Sequence, residues 1–279
     1  MSHATFDIHG PAIPNSPVVL SVPHAGRDYP DVAGLLRHPV DQLRALEDRY
    51  VDHVANTAIA GGVNTIVSRY PRLWIDLNRA ESDIDPAMVI GRYAKGLPTA
   101  RMRGGLGLIP RRLGNIGEIW QTALTERDVA QRVEGHYRPY HAAISTMLAR
   151  ARARFGVALL VDLHSMPPLV GNDKPAIVLG DRFGMTCARR LTDVAGAIFE
   201  GAGFSVGRNA PYAGGHIISC HADRRNNIHA LQIEIDRSLY LDSALDDVGS
   251  GLPKLQKAVG QLIGSLAAEL TIPAAIAAE

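Results

Sequence analysis

Two histidines in this sequence follow apolar stretches of a length that suits a buried strand. His24 comes after "VVLSVP" and His164 comes after "ALLVDL". Neutral imidazole is the commonest protein ligand for zinc, and a catalytic zinc ion typically has three protein ligands and one open position for water. Two histidines therefore need a third ligand, usually a carboxylate. The candidates lie on the helix predicted after the first strand: Asp48, Asp52 and, as a weaker choice, Glu47.

Two carboxylates also accompany the apolar strands. Asp162 stands two residues before His164, so both side chains are expected on the same side of the strand, where Asp162 could fix the imidazole tautomer. Glu234 lies between two isoleucines in "LQIEID". A buried carboxylate without a partner is strongly disfavoured, so this glutamate needs a function or an ion pair. Each histidine alone would be interpreted as an ordinary hydrogen-bonded residue, but the set favours a site.

The alternation of predicted strands and helices indicates the elements that hold these residues. Strands are expected at Val18–Val22, 63–70, Leu73–Leu77, the residues before His164, 175–181 and 228–236, and helices at 41–62, Thr125–Arg154 with an interruption at Pro139, 184–203 and Pro253–Leu270. This pattern predicts an α/β fold with a mixed, mostly parallel central sheet and helices on both faces. No linker or repeat divides the chain, so a single domain, 1–279, is predicted.

In open α/β sheets, functional residues gather beyond the carboxyl ends of the strands. The short strand predicted at Leu73–Leu77 delivers Asp76, Asn78 and Arg79 to that edge. His216 follows two glycines and could line the same pocket. A pairing of His221 with Cys220 in a stray metal site is discounted.

Residues 94–118 are rich in glycine, arginine and proline and are predicted to form a long loop. Long loops in compact domains are usually functional or mobile. One interpretation is a solvated loop. The other, given equal weight, is a lid in which one of four arginines reaches an anionic substrate: Arg101, Arg103, Arg111 or Arg112.

Composition excludes several classes of function. The net charge of +1 gives no reason to expect nucleic acid or an anionic membrane as a partner. No stretch approaches the roughly 20 apolar residues that span a bilayer. Cys187 and Cys220 fit neither a C-x-x-C site nor a disulfide framework, so a cytoplasmic location is expected.

Seven short motifs occur together in one order, from about residue 18 to about residue 242: "VPHAG", "EDRYVD", "DLNRAESD", "RPYH", "DLHSMPP", "APYAGGHI" and "HALQIEIDRSLYLD". Together they resemble the N-formylglutamate amidohydrolase family. That family is similar to the zinc carboxypeptidase and aspartoacylase group, whose fold is a mixed sheet between helices. The resemblance therefore implies a zinc-carboxypeptidase-like fold.

The resemblance also implies roles for individual residues. It carries the zinc role onto His24 and His164, and Asp48 is preferred as the third ligand because it lies within "EDRYVD". The wider group has a histidine followed three positions later by glutamate, whereas Arg27 stands at that position here. Glu234 matches the general acid and base of the group.

The same resemblance assigns the substrate contacts. Asn78 and Arg79 match a pair that holds a substrate carboxylate in the wider group, and His216 is added as a third substrate contact. The expected cofactor is one zinc ion, with another divalent metal as an alternative.

The implied reaction is hydrolysis of an N-acyl amino acid, most simply N-formyl-L-glutamate, to formate and the amino acid. This activity implies a part in histidine catabolism and an anionic small molecule as the partner. Two alternatives stay open. One is another metal-dependent deacylase or a carboxypeptidase-like peptidase, and the other is an inactive binding protein of this fold. The sequence makes no prediction of the oligomeric state.

Overall fold

Strands and helices alternate along residues 4–91, 99–114, 116–171 and 174–271, which the computed structural model describes. The strands are, in chain order, β1 (Phe6–His9), β2 (Val18–Val22), β3 (Asn64–Ser68), β4 (Val89–Ile90), β5 (Arg112–Leu113), β6 (Gly117–Glu118), β7 (Leu124–Thr125), β8 (Ala158–Met166), β9 (Ile177–Gly180), β10 (Val206–Arg208) and β11 (Ile228–Asp236). The α-helices are α1 (Val40–Leu43), α2 (Val51–Val54), α3 (Asn56–Ala60), α4 (Ala100–Arg103), α5 (Glu126–Arg132), α6 (Arg138–Phe155), α7 (Arg189–Gly201), α8 (His216–His221) and α9 (Leu252–Thr271).

Seven of the strands form one sheet in the order β1–β3–β2–β8–β11–β9–β10. Strands β2 and β11 pair with β8 in parallel, and β10 pairs with β9 in parallel, whereas β9 and β11 are antiparallel. Every residue of β8 is buried, as expected for a strand that is covered on both faces. The predicted fold class, a mixed and mostly parallel sheet flanked by helices, is confirmed.

The described residues pack as two compact units, and the chain passes between them repeatedly. The first consists mainly of Pro23–Arg49 and Val67–Ala142, and the second of Ile8–Val22, Tyr50–Ile66 and the chain from Ala143 onward. Neither unit is one continuous stretch of sequence. The prediction of a single domain, 1–279, stays a prediction.

In the second unit, helices hold the central strands in place. Helix α9 packs against α7, α2, α3 and β2, and helix α8 packs against β8 and β11. The buried side of α9 repeats at helical spacing, with Leu255, Val259, Leu262 and Leu266 among its members. This apolar packing keeps the central strands fixed, so that polar side chains on them have defined positions.

In the first unit, a buried arginine organises the packing. The guanidinium of Arg132 lies 3.9 Å from the ring centre of Trp74 and 4.7 Å from that of Trp120. Its Nη1 donates a hydrogen bond to the carbonyl of Trp74 at 2.9 Å. Burial lowers the pKa of Arg132 to about 10. The stacked cation holds the turn that contains Trp74 against helix α5.

The helix predicted at 41–62 is wrong as a continuous element. Helix α1 ends at Leu43, and a short 3₁₀ turn ends before Glu47, which is extended at ψ 145°. Tyr50 has a left-handed backbone at φ 57°, and only then do α2 and α3 follow. The break has a tertiary cause, because the N–H of Asp48 donates to the carbonyl of His24 at 3.0 Å. Asp48 therefore lies in a loop and not one helical turn from Asp52.

The strand predicted at Leu73–Leu77 is also wrong, since these mostly buried residues form turns and irregular backbone. The N–H of Asp76 donates to the carbonyl of Leu108 at 2.7 Å, outside any ladder. Its Oδ1 accepts the N–H of Asn78 at 2.9 Å, and such local side-chain bonds compete with sheet pairing. A turn, and not a strand, therefore positions Asp76 and its neighbours.

The remaining boundaries agree more closely with the sequence. Strands β2 and β11 match their predicted ranges, and the long helix at Thr125–Arg154 is divided by a π-turn at Val133–Tyr137, just before Pro139. Of the predicted loop at 94–118, residues 94–98 and Asn115 lie outside the described residues, and the rest includes α4, β5 and β6. Among the described helices, none combines the length and apolarity that crossing a membrane requires.

The π-turn buries a histidine whose protonation should control stability. His136 is 1% exposed, and its Nε2 lies 3.3 Å from Ser68 Oγ. Burial lowers the pKa of His136 from 6.5 to about 4. As the pH falls below 6.5, the unfolded chain takes up a proton that the folded chain does not, so stability is lost down to about pH 4.

We expect His136→Phe to remove this contribution. Between pH 7 and pH 5, the free energy of unfolding of the wild type should fall by about 2 kcal/mol more than that of the variant. Urea titrations at both pH values measure the difference. Equal losses in the two proteins would show that His136 is protonated in the folded state.

Candidate active site

Asp76 is a fully buried carboxylate that is surrounded by hydrogen-bond donors. Its Oδ1 accepts from His24 Nε2 at 2.7 Å and from the N–H of Asn78 at 2.9 Å. Its Oδ2 accepts from Arg72 Nε at 2.8 Å and lies 3.6 Å from Arg79 Nη2. Burial alone would raise the pKa of Asp76, but the charges of Arg72 and Arg79 and the hydrogen bond from His24 outweigh it and hold the pKa well below its usual range. The carboxylate is therefore ionised.

An ionised Asp76 fixes the tautomer of His24. Because a carboxylate only accepts hydrogen bonds, Nε2 must carry a proton, so in the neutral imidazole Nδ1 is the nitrogen with the lone pair. This Nδ1 lies 3.5 Å from Asp48 Oδ2. Both side chains are buried. A histidine whose outer nitrogen is bound to a carboxylate in this way is oriented to bind a metal through the other nitrogen.

His164 on strand β8 has the same arrangement in the second unit. Its Nε2 lies 2.8 Å from Asp162 Oδ2, and Ser21 Oγ donates to Asp162 Oδ1 at 2.8 Å. All three side chains are buried. As with His24, the carboxylate leaves Nδ1 of the imidazole as the nitrogen with a lone pair.

The ligand atoms of His24, Asp48 and His164 all lie within 4.8 Å of one another, so this group could hold a metal ion. Two imidazole nitrogens and one carboxylate oxygen are a donor set that suits zinc and related divalent metals. The sequence proposed these three residues, and the structure brings them together.

The two other carboxylates considered as ligands have different surroundings. Glu47 accepts a hydrogen bond from Tyr29 Oη at 2.5 Å and pairs with Arg49 at 2.9 Å. Asp52 is partly exposed, and its Oδ2 lies 4.0 Å from His53 Nε2. Neither belongs to the group that could hold a metal ion.

Glu234 on strand β11 stands beside His164 in the sheet, since the two are register partners in the parallel β8–β11 pair. Partners in such a pair point to the same face of the sheet. Glu234 Oε1 accepts a hydrogen bond from Gln232 Nε2 at 2.8 Å. Gln232 Oε1 in turn accepts the N–H of Gly215 at 2.7 Å. This chain of bonds fixes the glutamate carboxylate in position.

Gln232 was missed by the sequence analysis, although a signal was present. Polar residues alternate with apolar ones at Gln232 and Glu234, as they do at Asp162 and His164. In adjacent parallel strands this alternation places all four on one face. His216 begins helix α8 directly after Gly215, next to the residue that bonds to Gln232.

Asn78 and Arg79 are buried next to Asp76. Arg79 Nε donates to the carbonyl of Leu106 at 2.9 Å, and its Nη1 donates to the carbonyl of Asn78 at 2.8 Å. Tyr137 Oη donates to the carbonyl of Arg79. Burial lowers the pKa of Arg79 to about 10, against the opposing effect of Asp76. The guanidinium is rigidly held on one side, and its role toward a substrate stays a prediction.

A second group of side chains could also hold a metal ion: His141, Cys220 and His221. From the sequence, only a metal site formed by Cys220 and His221 was considered, and it was discounted. Desolvation raises the pKa of the Cys220 thiol to about 12 and lowers the pKa of His221 to about 4. A metal ion bound there would have to displace the thiol proton, since the thiolate is the ligand.

Comparison with known proteins identifies similar sequences and structures. The sequence model of the family described as N-formylglutamate amidohydrolase matches residues 16–241. An N-formylglutamate deformylase of Pseudomonas putida is 32% identical over 235 residues, which cover 81% of this chain and 82% of that protein. A deformylase of the same name from Pseudomonas aeruginosa is 31% identical over 240 residues, again with 81% and 82% covered.

A solved structure is similar over nearly the whole chain. The crystal structure of N-formylglutamate amidohydrolase from Ralstonia eutropha JMP134 superposes with a TM-score of 0.89 at 32% identity. The superposition covers 96% of this chain and 98% of that one. The fold described above is therefore shared with a protein of that name.

The geometry predicts which substitutions remove bound metal. Loss of a hydrogen bond that supports a metal ligand lowers the affinity for the metal by roughly 10- to 100-fold. Because a ligand itself is removed, a larger loss of zinc affinity is expected in each of three variants: His24→Ala, His164→Ala and Asp48→Ala. The measurement is elemental analysis after equilibration with zinc and gel filtration, with circular dichroism to verify folding.

Asp52→Ala and Cys220→Ser are the matched controls, since each removes a potential ligand outside the group of His24, Asp48 and His164. Both should keep the zinc content of the wild type. If Cys220→Ser loses zinc while the histidine variants retain a full equivalent, the metal binds at the other group.

Proposed function

The chain belongs to the N-formylglutamate amidohydrolase family and is an amidohydrolase. On that premise, we propose that it hydrolyses N-formyl-L-glutamate to formate and L-glutamate with one bound zinc ion. The observation that carries the proposal is the buried donor set of His24, Asp48 and His164. The names of the similar deformylases support the substrate. The predicted cytoplasmic location and the part in histidine catabolism stay predictions.

The residues present fit a metal ion. His24 and His164 would hold it through Nδ1, because Nε2 of each is bound to a buried aspartate. Asp48 would supply the third ligand and negative charge. A zinc ion held there would act as a Lewis acid that polarises a carbonyl and makes water a better nucleophile at neutral pH.

Glu234 is the proposed general base and acid. Water adds to the formyl carbon and gives a proton to the Glu234 carboxylate. Glu234 then delivers that proton to the amide nitrogen as the C–N bond breaks, which yields formic acid and a free amine. The acid passes its remaining proton to the amine, so the products are formate and the ammonium form of the amino acid. The hydrogen bond from Gln232 to Oε1 orients the carboxylate toward this role.

Arg79 and Asn78 are the proposed contacts of the substrate α-carboxylate. A guanidinium can hold a carboxylate through two parallel hydrogen bonds, which fixes the orientation of the amide. Two backbone carbonyls accept from Arg79 Nε and Nη1, so its position is set before the substrate binds. His216 is proposed to line the same pocket.

Glu234→Gln tests the proton transfer. This variant keeps the shape of the side chain and removes the base, so kcat for formate release should fall by roughly 10²- to 10⁴-fold with zinc content unchanged. The measurement is formate release from N-formyl-L-glutamate, normalised to folded protein.

Glu200→Gln on the exposed side of helix α7 is the control and should keep full activity. A Glu234→Gln variant with a lowered melting temperature but unchanged turnover would show that Glu234 only stabilises the sheet.

A further inference from the structure

The four arginines of the predicted lid differ in their partners. Arg111 donates to Asp85 Oδ2 at 2.7 Å and to Glu118 Oε1 at 2.6 Å. Arg112 pairs with the same Glu118 at 3.2 Å. Carboxylates of the chain itself therefore hold these two arginines, and neither is suited to bind an external anion.

Arg101 differs from these two. Its side chain is exposed, and among the described residues it forms no hydrogen bond or ion pair. Arg103, on the same short helix, does have an interaction partner. Of the four arginines, Arg101 is thus the one whose charge is available to a ligand.

The backbone holds Arg101 close to the proposed substrate contacts. The N–H of Leu106 donates to the carbonyl of Arg101 at 2.9 Å, and the carbonyl of Leu106 accepts from Arg79 Nε at 2.9 Å. The N–H of Asp76 donates to the carbonyl of Leu108 at 2.7 Å. The turn that follows helix α4 is therefore bound directly to the segment that contains Arg79.

Among the described residues, the positive charges around Arg79 outnumber the negative charges. Asp76 pairs with Arg72 and Arg79, and Asp83 lies close enough to Arg79 to interact with its charge. The positive charge of Arg101 also acts on Arg79, since it contributes to the lowered pKa of that guanidinium. These described groups are thus two carboxylates and three guanidinium groups, and the third guanidinium belongs to the exposed Arg101.

We propose that Arg101 binds the side-chain carboxylate of the substrate and selects N-acyl dicarboxylic amino acids over those with an uncharged side chain. The inference rests on the proposed function, in which Arg79 holds the α-carboxylate. N-formyl-L-glutamate has two carboxylates a few bonds apart, and two neighbouring arginines match them. Buried Arg79 takes the α-carboxylate beside the scissile amide, and exposed Arg101 takes the carboxylate at the end of the side chain.

Three substrates separate this role from a general electrostatic effect. They are N-formyl-L-glutamate, N-formyl-L-glutamine, which lacks the side-chain charge, and the α-amide of N-formyl-L-glutamate, which lacks the α-charge. Arg101→Gln should lower kcat/KM about 10-fold on the first and third substrates, mainly through KM, because one charge-assisted hydrogen bond is lost at an exposed position. On N-formyl-L-glutamine the change should stay below about 2-fold.

Arg103→Gln is the matched control, since it removes the same charge from the same helix, and it should change kcat/KM by less than about 2-fold on every substrate. Equal losses with Arg101→Gln on all three substrates, or a loss confined to N-formyl-L-glutamine, would overturn the inference while the deformylase activity stands. A zinc-loaded wild type that releases no formate from any of the three would overturn the proposed function and this inference with it.

Discussion

The arrangement of the candidate site depends on keeping Asp76 ionised inside the protein. A carboxylate with no exposure to water is stable as an anion only when donors and positive charges replace its hydration. Arg72, Arg79, the N–H of Asn78 and the imidazole of His24 do this together. Asp76 also acts on its donors, because the same carboxylate holds Arg79 in place and decides which nitrogen of His24 carries the proton.

The tautomer of the second histidine is fixed in the same way, but by residues on a strand. His164 and Asp162 stand on a buried strand whose pairing with β2 and β11 fixes both side chains, and Ser21 on β2 completes the aspartate's bonding. In the first unit, Asp76 lies in a turn instead of a strand, and ion pairs around it replace the hydrogen bonds of a sheet. Both solutions leave Nδ1 of the imidazole as the acceptor, which is the condition for a metal ligand.

The sequence predicted the parts of this structure that apolar pattern determines, and it failed where long-range contacts decide. Strands β2 and β11 match their predicted ranges, since short, mostly apolar stretches of this length are typical of buried strands. The residues after Leu43 keep a helical spacing of apolar side chains, yet the contact of Asp48 with the backbone of His24 breaks the helix. The candidate metal ligands were proposed from residue type and family resemblance, whereas the partner of His24 and the exposure of Arg101 required coordinates.

The central claim is that buried aspartates set the tautomer of both histidines, and the ¹⁵N NMR spectrum of histidine-labelled protein tests it most directly. His24→Ala and His164→Ala assign the signals. In the neutral form of each imidazole we expect the proton on Nε2, and we expect zinc to shift the Nδ1 resonances while Nε2 remains protonated. Protonated Nδ1 atoms in the zinc-free protein, or zinc-induced shifts confined to Nε2, would contradict the account.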